Sequence, residues 1–420
     1  MSLLLSFLLL GLAQAPTAQP TTPAACVKAA RDFVQSEQRV LKQITGDAIR
    51  KIEAGKVALA QKCAVQFNVA TIAEADLAQL IALYGEAEQP AHAKAALDRA
   101  LGSKTLPVNV RADVLAQAVL TGLREPKSQE RNARLERYVD QLDRLKGDLL
   151  ETQLSAHARM NGFYRGDDID DGIIKHSTWL IERAKTFTPQ QRTQYGSIIV
   201  SAHINMAEVV AGRGDNARTQ QLLTAAKTNW SDVPNADLML APAMARYALV
   251  GTLAAPISAP RWLNAPPNTS IAMPGAVTLL EFTAHWCGPC KESYPGVKRL
   301  LAKYGSRGFR VVLATELYGY FGTERSLTAE VEVERDREYW AHEGLNVPVA
   351  VEDQRKAPVR GADGKFTYFE NPNDKAYEVG GIPQIHIIDK QGRIRLIMVG
   401  YDDVNEARLS KLIEQLLKEK

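Results

Sequence analysis

Beyond its first dozen residues the chain has no long uninterrupted apolar run, nowhere more than two consecutive Lys or Arg, and only four cysteines in 420 residues. The first absence predicts a body that stays out of the hydrocarbon layer, since a spanning helix needs about 20 apolar residues. The second, with a formal net charge of +3, removes the electrostatic footprint expected of a nucleic-acid or acidic-membrane binder. The third rules out a disulfide-dense mini-scaffold, so each cysteine needs its own account. Strand signals are also scarce through the first 250 or so residues. What is present is an ordinary globular composition, 45% hydrophobic and 24% charged. A chain of this length exceeds a single core, so two or three domains are expected.

The exception to the first absence is the N-terminus. Leu3 to Leu12 is almost purely apolar, and Ala13-Gln14-Ala15 is a small-residue A-x-A pattern. Residues 1–15 therefore read as a secretory signal, with cleavage after Ala15 or, because Pro16 follows, after Ala13. The leading segment carries no Lys or Arg, and the alternative is an uncleaved membrane anchor. Residues 16–25, rich in Pro, Thr, Ala and Gln, have the composition of a disordered tether. Export predicts an oxidising compartment, periplasmic or otherwise extracytoplasmic.

The four cysteines sort into two pairs. Cys26 and Cys63 lie near the mature N-terminus, and in an exported chain they are expected to form a structural disulfide. Closing that loop would stabilise the fold by about 4 kcal/mol on chain-entropy grounds. The alternatives are two free thiols, or a lipid on Cys26. Cys287 and Cys290 stand three apart in Trp286-Cys287-Gly288-Pro289-Cys290. A zinc site would need two further ligands, and no His-x-His or second C-x-x-C lies nearby, so neither metal nor cofactor is expected.

Residues 26–254 carry apolar positions at three- and four-residue spacing, as in Val114, Leu115, Ala118, Val119 and Leu123. An all-α region built of helical hairpins follows. Leu83-Tyr84-Gly85-Glu86-Ala87 and Val210-Ala211-Gly212-Arg213-Gly214-Asp215 each resemble the turn between helices of a tetratricopeptide repeat. Their separation is no clean multiple of 34, which leaves a divergent array or an irregular bundle. Residues 255–274, with Pro256, Pro260, Pro266, Pro267 and Pro274, cannot continue a helix and are expected to be a linker. Residues 275–420 alternate buried strands (Val277 to Thr283, Phe309 to Ala314, Val347 to Val351) with helical segments. Two strands around the turn Asp389-Lys390-Gln391-Gly392 and a closing helix complete an α/β domain with a hairpin at its edge.

A strand, then Cys-Gly-Pro-Cys, then a helix is the arrangement thiol exchange needs. The unpaired N–H groups and dipole at a helix start stabilise a thiolate, which makes Cys287 the nucleophile. Cys290, one turn on, is placed to resolve a mixed disulfide. Pro289 at an early helical position removes no hydrogen bond.

Leu280-Glu281-Phe282-Thr283-Ala284-His285-Trp286-Cys287-Gly288-Pro289-Cys290-Lys291 resembles the active-site segment of thioredoxins, and more specifically of exported TlpA/ResA-type thiol–disulfide oxidoreductases. Gly380-Gly381-Ile382-Pro383-Gln384 is similar to the cis-proline segment of that fold. The likeness covers about Ala265 to Lys420. It implies that Glu281 is a buried carboxylate able to exchange a proton with Cys290. It also implies that Pro383 is cis, that Ile382 offers its backbone to an extended substrate, and that Trp286 shields the disulfide and contacts partners. His285 is expected at the surface. Glu316 to Ser326 and Gln354 to Asn373 are extra loops beyond the simple pattern, and inserts of this kind set partner choice. The Gly-Pro dipeptide resembles that of the reducing members, so the expected function is reduction of protein disulfides. A membrane thiol donor is implied by the resemblance, and cytochrome-maturation thiols are one substrate class. Isomerase or oxidase action through the same residues, or a helical adaptor with an accessory redox domain, are the alternatives.

Overall fold

A computed structural model describes residues 20–41, 46–126, 128–166, 169–271, 273–356, 358–360, 366–367, 370–401 and 403–419. The expected signal segment lies outside them. The chain forms two compact units, Met1–Thr121 and Gly122–Lys420.

The first unit contains α1 (Pro23–Val40), α2 (Gly46–Ala64), α3 (Leu77–Glu86), α4 (Pro90–Gly102) and nearly all of α5 (Val108–Gly122). The expected tether ends earlier than composition suggested. Thr22 caps α1 by accepting a hydrogen bond from the Ala25 N–H, and Pro23 sits where its missing donor does not matter. Cys26 and Cys63 are joined by a disulfide, with α-carbons 6.0 Å apart, which ties α1 to α2. Leu77, Leu80, Ile81, Leu83 and Tyr84 bury α3 on nearly all sides. Leu83 to Ala87 closes α3 ahead of α4, so the first repeat-like segment is a helix–turn–helix junction.

The second unit begins with α6 (Gln129–Arg144), α7 (Leu150–Gly166), α8 (Asp170–Arg183), α9 (Pro189–Gly212), α10 (Asn216–Asn229) and α11 (Ala236–Ala248). The second repeat-like segment is the α9–α10 junction. Gly214, at φ 79°, turns the chain there, and Asp215 caps α10 by accepting from the Arg218 N–H. Then follow β1 (Arg261–Leu263), β2 (Val277–Phe282), α12 (Gly288–Tyr304), β3 (Phe309–Glu316), β4 (Tyr320–Phe321), β5 (Glu324–Arg325), α13 (Ala329–His342) and β6 (Val349–Glu352). Last come β7 (Val359–Arg360), β8 (Phe366–Thr367), α14 (Pro372–Ala376), β9 (Gln384–Ile388), β10 (Ile394–Val399) and α15 (Asp403–Lys418). The main sheet has six strands in the order β1-β6-β3-β2-β9-β10. β2, β3 and β6 are parallel to one another, and β9 and β10 form the antiparallel hairpin.

Strand periodicity assigns the two sheet faces. In β2, Val277 and Leu279 pack with Tyr294, Val297 and Leu300 of α12, while Leu280 and Phe282 pack on the opposite face. Glu281 shares the parity of Leu279, which turns it toward α12. In β10 a bulge between Ile394 and Leu396 puts Ile394 and Ile397 on the same face although they are three apart.

What covers that opposite face differs from expectation. Leu280, Phe282, Val312 and Ile397 form one continuous core with Ile199, Ala207 and Ala211 of α9 and Ala243 and Tyr247 of α11. The late helices are therefore a layer of the α/β fold. Residues 255–274 lie inside this unit and do not separate two bodies: Ile257, Leu263 and Ile271 are buried, and β1 pairs antiparallel with β6. The residues just before them hydrogen-bond the other sheet edge, Gly251 N–H to Ile394 O at 2.7 Å and Ala254 N–H to Gly392 O at 2.8 Å. Prolines and asparagines end a helix, but they do not prevent extended chain from covering an exposed sheet edge.

Candidate redox site

β2 delivers the chain to residues 283–286, and Cys287 becomes the N-cap of α12. Its Sγ accepts the Cys290 N–H at 3.1 Å, one of the donors a helix start leaves unpaired. Cys287 and Cys290 are disulfide-bonded, with α-carbons 5.2 Å apart. Both are buried. A thiolate at Cys287 would inherit the same N–H donor and the positive end of the helix dipole.

The Ile382–Pro383 bond is cis. It places the Ile382 carbonyl oxygen 3.7 Å from Cys287 Sγ. The loop is held from three sides. Gly400 N–H donates to Pro383 O at 2.8 Å, Gly380 N–H donates to Gln384 Oε1 at 3.0 Å, and Gln384 Nε2 donates to Tyr377 O at 3.0 Å. From α11, Arg246 donates to Glu378 O at 2.7 Å. Its guanidinium lies where a β-carbon on Gly380 would stand, so a side chain there would displace it. Nothing in the local sequence pointed to Arg246, because it lies more than 130 residues upstream of the loop it supports.

Glu281 is wholly buried, and Ser293 Oγ stands 2.8 Å from its Oε1. The same hydroxyl lies 2.7 Å from the Cys290 carbonyl oxygen. Ser293 has one proton for two acceptors. Both contacts become hydrogen bonds when Glu281 is protonated and donates to Ser293 while Ser293 donates to Cys290. Burial pushes the carboxyl up to about 8, against the opposing pull of the Ser293 hydrogen bond. Its Oε2 has no partner among the described residues. The sequence reading passed over Ser293; its signal was the three-residue step from Cys290 on the same helix.

Trp286 is half exposed at the rim and meets Tyr318 edge-to-face at 5.4 Å. His285 is a correction: it is only 5% exposed, not a surface residue. The loop after β3 folds over it. Phe321 stacks on its ring at 4.7 Å, with Tyr318 and Tyr320 against its edges. Burial, aided by the Lys291 charge, pushes the imidazole down to about 4. Glu332 of α13 anchors that loop by accepting the Tyr318 and Gly319 N–H groups at 2.6 and 2.7 Å. Much of the second insert, 361–365 and 368–369 included, lies outside the described residues.

A parallel β2-β3-β6 core, an antiparallel hairpin, a C-x-x-C disulfide at a helix start and a facing cis-proline define a thioredoxin-like domain. A curated relative, thioredoxin H7 of Arabidopsis thaliana, is 41% identical over 50 residues, 12% of this chain. The chain spans 39% of that relative's length. Among solved structures, a thiol:disulfide interchange protein of the thioredoxin family from Chlorobium tepidum is 20% identical over 34% of this chain and 81% of its own, with a TM-score of 0.24. StoA from Bacillus subtilis is 18% identical over 38% of this chain and 98% of its own, with a TM-score of 0.26. No family model matches the chain.

Proposed function

We propose that the protein is an extracytoplasmic thiol–disulfide oxidoreductase that reduces protein disulfides through Cys287 and Cys290. The observation that carries this reading is the disulfide capping α12 beneath the cis Ile382–Pro383 bond, with a protonatable carboxyl behind it. The 50-residue match to a thioredoxin supports it. In the reduced state the Cys287 thiolate attacks one sulfur of a substrate disulfide and expels the other as thiolate. Cys290 then attacks Cys287 Sγ and releases the second substrate thiol. Glu281, through Ser293, exchanges the proton that Cys290 must lose. Two electrons pass to the substrate, and the protein is left as the disulfide seen here. Ile382 offers main-chain hydrogen bonding to an extended substrate, and Trp286 offers apolar contact.

The reading of residues 1–15 as a secretory signal and the disulfide at Cys26–Cys63 support export. No helix among the described residues is long and apolar enough to cross a membrane. A membrane dithiol would then supply electrons, with cytochrome-maturation thiols as one substrate class. Two measurements test this. Cys290→Ser should accumulate a mixed disulfide with its substrate. The Cys287–Cys290 equilibrium with glutathione should lie toward the reducing end; a strongly oxidising potential would replace reductase by oxidase or isomerase. If no mixed disulfide accumulates while the helical region still retains a partner, the adaptor reading wins.

A further inference from the structure

α6, α7 and α8 of the second unit meet at two histidines that thiol exchange does not use. His157 of α7 and His176 of α8 are buried, and their Nδ1 atoms stand 2.9 Å apart. Each ring turns its other nitrogen to a carboxylate of α6. His176 Nε2 lies 3.0 Å from Glu136 Oε1, and His157 Nε2 lies 3.1 Å from Asp143 Oδ2. Trp179 stacks on His157 at 3.7 Å, and Tyr164 stacks on His176 at 5.6 Å. Turning over either ring would put carbon against both of its polar partners, so each is held this way round.

The contacts can be counted in protons. Three run in a chain from Glu136 through His176 and His157 to Asp143, and each needs one hydrogen. Glu136 supplies none. Against its burial, hydrogen bonds from His176, Lys175 and Tyr164 hold that carboxyl down to about 2. Asp143 is partly exposed, and a carboxyl yields its proton to an imidazole, the stronger base. Two neutral imidazoles carry two hydrogens between them, which is one too few. With both Nε2 atoms donating to carboxylates, the two Nδ1 atoms would face each other as bare lone pairs. Among the described residues no group of three or more potential ligands is placed to hold a metal there. A third proton satisfies every contact.

The surrounding charge favours that proton. α6 contributes Glu136, Asp140 and Asp143, whereas α8 contributes Lys175, which bonds Glu136 and lies 3.4 Å from Asp140. From α7 the facing titratable group is Tyr164, whose hydroxyl donates to Glu136 at 2.6 Å. Among the described residues α9 sends neither ring a hydrogen bond or an ion pair. Three carboxylates thus face one ammonium. A second added proton is resisted. Burial pushes the His157 imidazole down against the pull of Asp143, and the charges of His176 and Lys175 push it further.

We propose that the His157–His176 pair is a binding site for one proton, shared between the two Nδ1 atoms, which fastens α6, α7 and α8 together and is released as pH rises. In the unfolded chain both imidazoles titrate near the ordinary value of about 6.5. Above it the folded pair holds a proton that the unfolded rings have lost, so stability falls as pH rises through the folded pair's own value. Below it the unfolded rings take up two protons and the folded pair one, so stability falls again. The pair therefore contributes most near that value.

The test uses the full-length oxidised protein with nitrogen-15 in its histidine rings, followed by NMR as pH is raised. A strongly deshielded proton coupled to both Nδ1 atoms is expected, and it should disappear in one step. Asp143→Asn supplies the missing hydrogen covalently, because its amide donates to His157 Nε2. Two neutral rings then suffice, with His157 Nδ1 donating to His176 Nδ1 and His176 Nε2 to Glu136. In this variant the signal should persist through the wild-type step. The wild-type urea midpoint should fall across that step relative to the variant. Other buried carboxyls, Glu281 among them, titrate in both proteins and cancel in the difference. Loss of the signal at the same pH in both proteins overturns the shared proton. Should Asp143→Asn not fold, the wild-type ring shifts decide alone. Three nitrogen-bound protons across the two rings below the step and two above it support the site, and two throughout overturn it.

Discussion

The chain holds two disulfides of the same chemistry in different settings. Cys26–Cys63 closes 37 residues and joins the first turn of α1 to the last turn of α2; Cys287–Cys290 closes three at a helix start. Burial does not separate them, since all four cysteines are less than 9% exposed. What differs is the surroundings of the sulfur. Cys287 Sγ faces a helix N–H and a cis-proline loop, and a proton-holding carboxyl lies behind Cys290. Around the first pair a polar neighbour is the Gln66 amide, whose Nε2 donates to Cys63 Sγ at 3.3 Å. A disulfide is structural or reactive according to what stabilises the thiolate it would release, and by how much unfolded chain it constrains.

The largest expected effect breaks the comparison at the reactive end. Cys287→Ser should abolish disulfide reduction, measured as turnover of a peptide disulfide, whereas Cys26→Ala/Cys63→Ala should leave that turnover intact. The second effect runs the other way. The Cys26/Cys63 double variant should lose about 4 kcal/mol from the first unit in urea unfolding, and reduction of Cys287–Cys290 alone far less.

Glu281→Gln comes third. It should slow resolution of the mixed disulfide by about 100-fold, seen as accumulation of that species. It should also change the pH dependence of stability. The folded carboxyl stays protonated up to about 8 while its ordinary value is 4.5. The native state therefore holds an extra proton between those values, and stability falls as pH rises through that window. The oxidised wild type should lose a few kcal/mol across it in chemical denaturation, and Glu281→Gln should lack that slope. The smallest effect is expected at Glu332→Gln. It weakens two charge-assisted bonds to the loop over His285, costing about 2 kcal/mol. The His285 and Trp286 surroundings should loosen, read as Trp fluorescence, with the disulfide itself unaltered.

Local pattern showed a good deal. Each expected strand of residues 275–420 is present within a residue or two, because buried β-branched runs and the Asp389–Gly392 turn are short-range signals. Both repeat-like segments mark real helix–turn–helix junctions for the same reason. The misreadings share a cause. Local pattern places His285 at the surface, whereas its cover is a loop that begins about 30 residues later. Residues 255–274 read as a linker because proline content reports what a segment cannot be, not what it packs against.

By itself the sequence determined the strand–C-x-x-C–helix unit and the strands and turn of the closing hairpin. These follow from backbone periodicity, which acts over a few residues. Only the tertiary structure decided that Ser293 links Glu281 to Cys290, that Arg246 supports the cis-proline loop, and that α9 and α11 complete a face of the sheet. Those depend on contacts between segments far apart in the chain, where burial, ion pairing and close packing act on whichever residues the fold brings together.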